Sequence, residues 1–350
     1  MTRSLAVIES FDDLGVAERG LLQSQSNPFL DENWFRSFCR YVAPAIGEQR
    51  WLTLKQGDHC EALLPLLTQS HTRQPTLGAM ANYYSPYFGL IADGASDVAQ
   101  ELTTLAKDEL AAYKLLTLSP MTQGPTENLQ EAFSSAGWLT HRYAFSGNWR
   151  EEDISGFSDY WQRRPSRLRN SVRRKTQKLP SQSSRFELIT DAVSDQQLFD
   201  FHQVYRGSWK PKEPYPAFID ALVHSLAARG ELRMGILYVQ GVAAAVQLWA
   251  QRGTTAFIYK LAYRDDMATY SPGTLLSHRM FEWVIEDFGA TTVDYLTGDD
   301  AYKQSWVSRR ETLYGLECCN PKHAGGWARH LRNSISEIRR GQRKSKSTPV

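Results

Sequence analysis

Three consecutive runs of β-forming residues decide the fold: Arg233-Met-Gly-Ile-Leu-Tyr-Val239, Val242-Ala-Ala-Ala-Val-Gln-Leu-Trp-Ala250 and Thr255-Ala-Phe-Ile-Tyr-Lys-Leu-Ala-Tyr263. The residues between these runs, Gln240-Gly241 and Arg252-Gly253-Thr254, are typical of tight turns. Short β-rich runs that are separated by glycine turns indicate a meander. The sequence therefore predicts three neighbouring antiparallel strands at this place.

A strand, a helix and a strand are expected beyond the meander. A polar loop ends at Ser271-Pro-Gly-Thr274, and apolar residues of Leu275–Phe288 then hold helical spacing. Thr292–Leu296 is the next β run. Such an order implies a right-handed parallel crossover, which makes Thr255–Tyr263 and Thr292–Leu296 parallel neighbours. A short helix over Ala301–Trp306 and a closing strand over 311–316 are expected to follow.

The first half of the chain shows a rougher version of the same order. The expected elements are a hairpin (Arg50–Lys55, Cys60–Leu67), a long helix (Asp97–Tyr113), a strand (114–118), a helix (128–136) and a strand (140–145). We interpret this order as a weak internal repeat; two unrelated α/β units are the alternative. The expected domains are residues 1–155, residues 156–325 and a basic helical or disordered tail over 326–350.

A strongly basic segment without any acid, Trp161–Lys178, lies between the two halves. Pro165 and Ser166 can open a helix there, and Pro180 ends it. The apolar residues form only a thin stripe, so most of the charges face solvent. Two interpretations stay open, namely a solvated basic face and a surface that holds RNA phosphates.

Composition excludes several classes of protein. The 350 residues include 40 basic and 38 acidic side chains, which gives a net charge of +2. The net charge therefore does not indicate binding to nucleic acid or to a membrane. The chain start lacks an apolar signal region, and the most apolar run, Val242–Ala250, is too short to span a bilayer. The four cysteines form no Cys-x-x-Cys pair. We expect a cytoplasmic protein with reduced thiols.

Familiar catalytic and cofactor motifs are missing from the sequence. It contains no Gly-x-Gly-x-x-Gly, no P-loop, no Gly-x-Ser-x-Gly and no His-Glu-x-x-His. The eight histidines have no ligand spacing to one another, so no metal site is expected.

Two polar segments carry the candidate chemistry. Ser271-Pro272-Gly273-Thr274 precedes a helix, whose first backbone N–H groups and positive dipole end suit a phosphate. The second segment runs from Asp294 to Trp306 and brings acidic residues, a phenol and an ammonium past the end of a strand. An ordinary helix junction and a negatively charged loop are the simpler interpretations. If the two strands are parallel, both segments lie at the same end of the sheet.

The chain from about Trp161 to Leu316 resembles the GNAT acyltransferase superfamily. Its residues are most similar to the CelD-like and BioF-like branch and to the related Fem-type aminoacyl transferases. The matching pieces are the basic helix 167–178, Gly241 with Gln247-Leu-Trp249, Tyr259-Lys-Leu-Ala-Tyr263, Ser271-Pro-Gly-Thr-Leu-Leu276, and Asp294 with Gly298-Asp, Tyr302-Lys303 and Trp306. The resemblance implies a mixed α/β fold of tandem GNAT-like units, each a central, mostly antiparallel mixed sheet flanked by helices.

The resemblance implies an N-acyltransferase that moves an acyl group from acyl-CoA to an amine of a small molecule or cell-envelope precursor. The phosphate loop is shorter here than in standard GNAT enzymes, so aminoacyl-tRNA is the alternative donor, held by Arg167–Lys178. No metal and no membrane span are expected. A non-catalytic protein that binds RNA or another partner on a GNAT scaffold is the remaining alternative.

Roles follow for particular residues. Lys303, the lysine after an aromatic residue, is implicated in catalysis by the Fem-type resemblance, and either its ammonium or a backbone N–H of Thr255–Tyr263 can stabilise the oxyanion. Asp294 or Asp299 is expected to take the amine proton, and Tyr302 to protonate the leaving group. The expected donor site is Arg264, Ser271, Pro272, Gly273 and Thr274. The expected substrate-binding residues are Gln247, Trp249, Tyr259, Trp209 and Tyr84.

Overall fold

The computed structural model describes residues 2–69, 75–94, 97–180, 182–333 and 335. Contacts between Cα atoms divide the chain into two units. The second unit is Gly147–Glu311, and the first contains the described residues up to Ser146 together with those from Thr312 on. These boundaries differ from the expected ranges 1–155 and 156–325 because the last strand returns to pair within the first unit.

The strands are β1 (Arg3–Ile8), β2 (Gln49–Gln56), β3 (His59–Thr68), β4 (Thr76–Ala79), β5 (Ile91–Ala92), β6 (Leu115–Met121), β7 (Leu139–Glu151), β8 (Ser184–Ile189), β9 (Leu232–Val239), β10 (Val242–Arg252), β11 (Thr255–Tyr263), β12 (Thr292–Thr297) and β13 (Arg309–Cys319). The helices are α1 (Val16–Gln23), α2 (Glu32–Tyr41), α3 (Val98–Leu105), α4 (Gln123–Ser135), α5 (Phe157–Gln162), α6 (Ser166–Lys178), α7 (Asp195–Arg206), α8 (Pro216–Ala228), α9 (Pro272–Glu286) and α10 (324–333).

The first unit has a mixed sheet in the order β1-β2-β3-β4-β6-β13, with β5 paired to β3. Its β2–β3 hairpin confirms the sequence prediction, with Gln56 opposite His59. The single long helix over Asp97–Tyr113 was wrong, because α3 ends at Leu105 and a 3-10 turn follows at Glu109–Ala112. The apolar spacing continues across this break, since Ala106 and Leu110 are both buried in one core.

The second unit has a mixed sheet in the order β7-β12-β11-β10-β9-β8. The predicted meander is confirmed, since β10 pairs antiparallel with both β9 and β11. Gln240 and Gly241 have φ angles of 53° and 79°, the left-handed conformations that a type I′ turn requires. The predicted crossover is also confirmed, because β11 and β12 are parallel and joined by α9.

The core of the second unit lies between its sheet and α9. The ring of Phe281 on α9 stacks on Tyr160 at 5.0 Å and meets the edge of Trp249 on β10 at 5.2 Å. Both Tyr160 and Trp249 are fully buried. Burial of each such ring contributes about 1.5–3 kcal/mol, so this cluster fixes α9 against the strands that precede the candidate site.

Two kinds of feature are absent from the described part of the chain. None of its helices is long and apolar enough to cross a membrane. No cluster of three or more metal-binding side chains was found among the same residues. Of the expected tail over 326–350, residues up to 333 lie in α10 and residues 336–350 lie outside the described residues.

Candidate active site

The two parallel strands separate at one end. β11 and β12 pair at Thr255↔Thr292, Ala256↔Val293 and Phe257↔Asp294, and the pairing ends there although both strands continue. Six residues of β11 and three of β12 extend beyond the last pair. Beyond that pair the two strands do not pair with each other, and we call the region at their carboxyl ends, which is where open sheets bind ligands, the gap.

A bulge in β12 shapes one side of this gap. Asp294 is buried, and its Oδ1 accepts a hydrogen bond from the Leu296 N–H at 2.7 Å. Leu296 has a φ of 58°, a left-handed conformation that a branched residue adopts at a cost of about 1–3 kcal/mol. Asn148 Nδ2 donates to Asp294 Oδ2 at 3.3 Å. The Asp294 carboxylate therefore holds the strand in a strained shape.

Lys303 closes the loop after β12. Its Nζ lies 3.3 Å from the carbonyl oxygen of Tyr295, 3.5 Å from that of Thr297 and 3.1 Å from that of Gly298. The side chain is buried, in a 3-10 turn (Lys303–Ser305) that replaces the short helix expected over Ala301–Trp306. Burial lowers the pKa of Lys303, and the charges of nearby aspartates, Asp300 first, oppose that shift.

The other polar residues of this loop lie in different surroundings. Asp299 forms a two-pronged pair with Arg310, at 2.8 and 2.6 Å, and accepts a hydrogen bond from Trp149 Nε1 at 2.9 Å. The Arg310 and Trp149 hydrogen bonds lower the pKa of Asp299 to about 2. A carboxylate with such a low pKa is a weak base, so the amine proton is not assigned to it. Burial, with the charge of Asp300, raises the pKa of Tyr302, which keeps its phenol protonated.

The start of α9 supplies the second side of the gap. Ser271 has a left-handed φ of 53°, and Pro272 begins the helix. A Cβ on Gly273 would lie 2.9 Å from the Tyr263 ring, so glycine is required there by the end of β11. Thr274 is half-buried in the first turn. Arg264 pairs with Asp266, at 3.0 and 2.6 Å, and lies at the beginning of the turn that leads to α9.

Gln247 and Trp249 stabilise the start of α9 from within the core. Gln247 Nε2 donates to the Ser277 Oγ at 2.7 Å and to the Gly273 carbonyl at 3.3 Å. Trp249 Nε1 donates to Gln247 Oε1 at 2.8 Å. Because both side chains are buried, we now interpret them as positioning residues for α9 rather than substrate contacts. Tyr84, also proposed to bind substrate, is a buried residue of the first unit, where its ring centre lies 4.2 Å from that of Tyr83 and the two rings are tilted by 35°.

A proline-rich loop between α7 and α8 brings a second lysine to the site, one that the sequence analysis missed. The Lys210 ammonium lies 5.5 Å from the ring centre of Tyr205 and 5.8 Å from that of Trp209. Trp209 is half-exposed and packs against Tyr263, the residue that faces Gly273. Burial, the charge of Lys260 and, more weakly, that of Lys303 lower the pKa of Lys210 to about 8.

The same loop is attached to β11 by a buried ion pair. Lys260 Nζ lies 2.6 Å from Glu213 Oε2, and their side chains are 7% and 8% exposed. The Lys260 ammonium also lies 5.1 Å from the ring centre of Tyr205 and 5.9 Å from that of Tyr259. This pair fixes the loop residue Lys210 beside the gap. The alternation of aromatic, basic and proline residues in Trp209-Lys-Pro-Lys-Glu-Pro214 is the signal that could have indicated this loop.

A cavity of about 400 Å³ opens beside Tyr205. Its lining is formed by Phe199, His202, Tyr205, Arg206, Lys212, Glu213, Pro216, Ala217 and Asp220. His202 Nε2 lies 2.7 Å from Asp220 Oδ1 within this lining. Apolar walls with a few charged groups are typical of sites for small organic molecules.

The basic helix α6 lies next to the turn that precedes α9. Lys175 Nζ donates to the carbonyl oxygen of Thr269 at 2.6 Å, and Val172 packs into the core. The cations on its other faces are exposed and have no carboxylate within 4.0 Å among the described residues: Arg167, Arg169, Arg173, Arg174 and Lys178. A surface of this kind suits a polyanion.

Comparison with known proteins identifies this arrangement. Residues 166–304 match the family model of an acetyltransferase (GNAT) domain. The fold is that of the GNAT superfamily. The expected mixed α/β fold is confirmed, and the matched segment contains the parallel strand pair, α9 and Lys303. The comparison with curated proteins gave no match.

Solved structures extend the GNAT fold over both units. FemX has a TM-score of 0.63 at 8% identity, covering 92% of this chain and 98% of that chain. The C-terminal domain of a putative lysylphosphatidylglycerol synthetase from Agrobacterium fabrum has a TM-score of 0.57 at 12% identity, with 91% and 95% covered. A tandem GNAT protein from the clavulanic acid biosynthesis pathway has 0.54 at 12%, with 91% and 99% covered. The domain match indicates a transferase, and the solved structures show that the same fold extends over both units.

Proposed function

We propose that the second unit is an N-acyltransferase that joins the acyl group of an acyl-CoA thioester to the amine of a small molecule or cell-envelope precursor. The observation that carries this proposal is the gap between β11 and β12, with Gly273 after one strand and Lys303 after the other. An activated carbonyl held in this gap lies between the start of α9 and the Lys303 loop. Holding donor and acceptor together there supplies much of the rate enhancement.

The donor phosphates would lie over the first turn of α9. Ser271, Gly273 and Thr274 present backbone there, and the helix dipole favours negative charge. Because Tyr263 already fills the space above the Gly273 Cα, the donor contacts the helix start beside that ring rather than above it. The half-exposed ring of Trp209 packs on Tyr263, and it offers the donor a flat apolar surface.

The acceptor amine would enter from the cavity beside Tyr205. The Lys210 ammonium lies 5.5 Å from the ring centre of Tyr205, which lines this cavity, and a pKa of about 8 leaves roughly a tenth of Lys210 neutral at pH 7. The neutral Lys210 amine can accept the proton that the acceptor loses as its nitrogen forms the new C–N bond. Tyr302, whose phenol stays protonated, can protonate the departing thiolate. Buried Asp294 then serves to shape β12.

Lys303 acts on the reaction through the backbone. Its Nζ is hydrogen-bonded to three carbonyl groups of the loop after β12, so it fixes that loop and leaves a positive charge behind it. A buried charge in a fixed position stabilises negative charge that develops nearby without reorganisation. The backbone N–H groups of β11 beyond Phe257, where its pairing with β12 ends, are the second group of candidate donors.

Aminoacyl-tRNA is the second candidate donor, and α6 is the observation that favours it. Five exposed cations of α6 have no carboxylate within 4.0 Å in the described part of the chain, and Lys175 attaches this helix to the turn at Thr269 between β11 and α9. A long polyanion offers many more phosphates to such a helix than the three phosphate groups of coenzyme A do. In this reaction an ester C–O bond breaks instead of a C–S bond.

One assay separates the candidates. The full chain is incubated with acetyl-CoA or a longer acyl-CoA and a panel of primary amines, and free thiol is measured; a parallel series follows deacylation of charged tRNA. Amine-dependent thiol release supports the acyl-CoA proposal. Amine-dependent deacylation without thiol release selects the aminoacyl-tRNA alternative. Tight RNA binding with neither reaction would leave a non-catalytic binding protein.

A further inference from the structure

The cavity beside Tyr205 has mainly apolar walls. It is lined by residues of α7, of α8 and of the loop that joins these helices. Phe199 of α7 is 52% exposed, and Pro216 and Ala217 belong to the first turn of α8. A volume of about 400 Å³ suits one small organic molecule. The walls therefore favour a ligand with an apolar chain or ring.

Two carboxylates line the cavity, and each has a partner within the protein. Glu213 Oε2 lies 2.6 Å from Lys260 Nζ, in the buried pair that attaches the loop to β11. Asp220 Oδ1 lies 2.7 Å from His202 Nε2. Because both carboxylates are already bound in this way, they are poor candidates for holding the ammonium group of a ligand.

Two cations of the lining have no such partner. Arg206 and Lys212 are exposed, and neither has a carboxylate within 4.0 Å in the part of the chain that the structure describes. Arg206 Nε donates to the carbonyl oxygen of His202 at 3.3 Å, which uses one of the five N–H groups of the guanidinium. The other four can bind a carboxylate or a phosphate, whose geometry a guanidinium matches. The cavity thus combines apolar walls with two positive charges that no described carboxylate neutralises.

We propose that this cavity selects an acceptor amine that also carries an anionic group on an apolar chain or ring. Arg206 and Lys212 bind the anion, and Phe199 and Ala217 contact the apolar part. An amine without the anion lacks the charge-assisted hydrogen bonds and binds more weakly. The inference rests on the proposed function in taking the ligand of this cavity to be the acceptor, whereas recognition of the anion requires no reaction.

The first test measures binding without a reaction. The full chain is titrated in a calorimeter with phenylacetate, benzyl phosphate and the neutral phenylacetamide, none of which has a nucleophilic amine. We expect at least one anion to bind about tenfold or more tightly than the amide, and added salt to reduce this preference. The tighter of the two anions shows whether the site takes a carboxylate or a phosphate.

Two variants and a control assign the binding to this cavity. In Arg206→Gln/Lys212→Gln we expect the preference for anions to disappear while binding of the amide is unchanged. Ala217→Trp places a large side chain in the cavity and should weaken binding of all three probes. Lys107→Gln/Arg142→Gln removes the same two charges from the first unit, so it should keep the preference of the parent chain.

The second test compares acceptors in the acyl-transfer assay. Phenylalanine and phenethylamine differ only in the carboxylate, and the parent chain should have the lower KM for phenylalanine. In Arg206→Gln/Lys212→Gln we expect the KM for phenylalanine to rise about tenfold with kcat maintained, and the KM for phenethylamine to stay the same. A merely structural role for the two cations would change both acceptors alike.

Several results would overturn the proposal. They are equal affinity for phenylacetate, benzyl phosphate and phenylacetamide, absence of binding of all three, and a preference for anions that survives in Arg206→Gln/Lys212→Gln. Probe binding that Ala217→Trp does not weaken would place the site elsewhere and also reject it. If the binding tests succeed and no amine is acylated from any donor, the ligand class of the cavity stands and the proposed function is the part that fails.

Discussion

Gly298 and Lys303 depend on each other across the loop after β12. The Gly298 carbonyl accepts a hydrogen bond from Lys303 Nζ at 3.1 Å, and a Cβ on residue 298 would lie 2.8 Å from the same nitrogen. Gly298 also has a φ of 134°, which side-chain-bearing residues rarely adopt. The contact between Lys303 and Gly298 therefore fixes the backbone conformation of the loop at the edge of the proposed gap.

Replacement of Lys303 tests whether this contact contributes to catalysis and to stability. We expect Lys303→Met to lower kcat about 10²–10³-fold, because the fixed charge behind the loop is lost. Three carbonyl oxygens lose a donor at the same time, which should lower the free energy of unfolding by about 1–3 kcal/mol. Steady-state kinetics and urea unfolding measure the two effects. Lys107→Met, at an exposed lysine of the first unit, is the control, and parental kcat in Lys303→Met would remove Lys303 from the mechanism.

The substitution Gly298→Ala perturbs the same contact at the glycine instead of at the lysine. The methyl group must displace Lys303 Nζ, and the positive φ adds strain, so we expect kcat to fall in the same direction as in Lys303→Met. Gly253→Ala is the matched control, because Gly253 has a positive φ but open space around its Cα. Comparison of Gly298→Ala with Gly253→Ala separates the effect of backbone strain from the effect of displacing Lys303 Nζ. Equal kinetics in both variants would mean that only backbone strain matters.

Lys210 predicts the pH dependence of the reaction. Its neutral amine is the active form, and its pKa is about 8, so log kcat/KM should rise with pH and level off above about pH 8. In Lys210→Arg the cation stays protonated, and we expect the rising limb to disappear along with most of the rate. Asp299→Asn should leave the limb in place, because a carboxyl group with a pKa of about 2 does not titrate in this range. If the rising limb of the pH profile is still present in Lys210→Arg, another group is the general base.

The order of β9, β10, β11 and β12 could be predicted because the residues that mark each of these strands lie in the strand itself or in the turn beside it. Glycine turns bound β9, β10 and β11, and helical spacing marks α9, so the parallel neighbours β11 and β12 followed from the handedness of crossovers. Lys303 was found because it follows β12 by only a few residues. The strained Leu296 and the three carbonyl groups around Lys303 follow from the bulge, which the strand pattern does not encode.

Lys210 could not be found in the same way, because its environment is made by contacts between distant segments. Its pKa depends on Lys260, and Lys260 is paired with Glu213 across 47 positions of the chain. The segment that carries Lys210 has neither helical nor strand periodicity, so the sequence predicts a loop there. A loop prediction does not indicate which way the side chains point. Gln247 and Trp249 show a second limit of sequence motifs, because the structure places these matching residues in the core, where they are hydrogen-bonded next to the start of α9.

The donor can be identified by the salt dependence of binding to α6. If the helix binds tRNA, the logarithm of affinity should fall linearly with the logarithm of salt concentration, with a slope of about −0.7 to −0.9 for each neutralised phosphate. The triple variant Arg169→Gln/Arg173→Gln/Arg174→Gln should then reduce the slope by up to about 2–3. The matched control is Arg142→Gln, at a cation of the first unit that is paired with Glu127.

The buried pair of Lys260 and Glu213 gives the last prediction. Glu213→Leu leaves the Lys260 ammonium buried without its partner, so we expect a loss of about 3–5 kcal/mol in the free energy of unfolding. The double variant Lys260→Met/Glu213→Leu removes both charges and should recover most of that loss. Because it also removes the ion pair that orients the loop, kcat should stay low while stability returns, and the Lys260 contribution that lowers the pKa of Lys210 should vanish. Urea unfolding and the pH profile of kcat/KM measure these effects separately. Recovery of kcat together with stability would show that the pair supports the fold alone and has no part in placing Lys210.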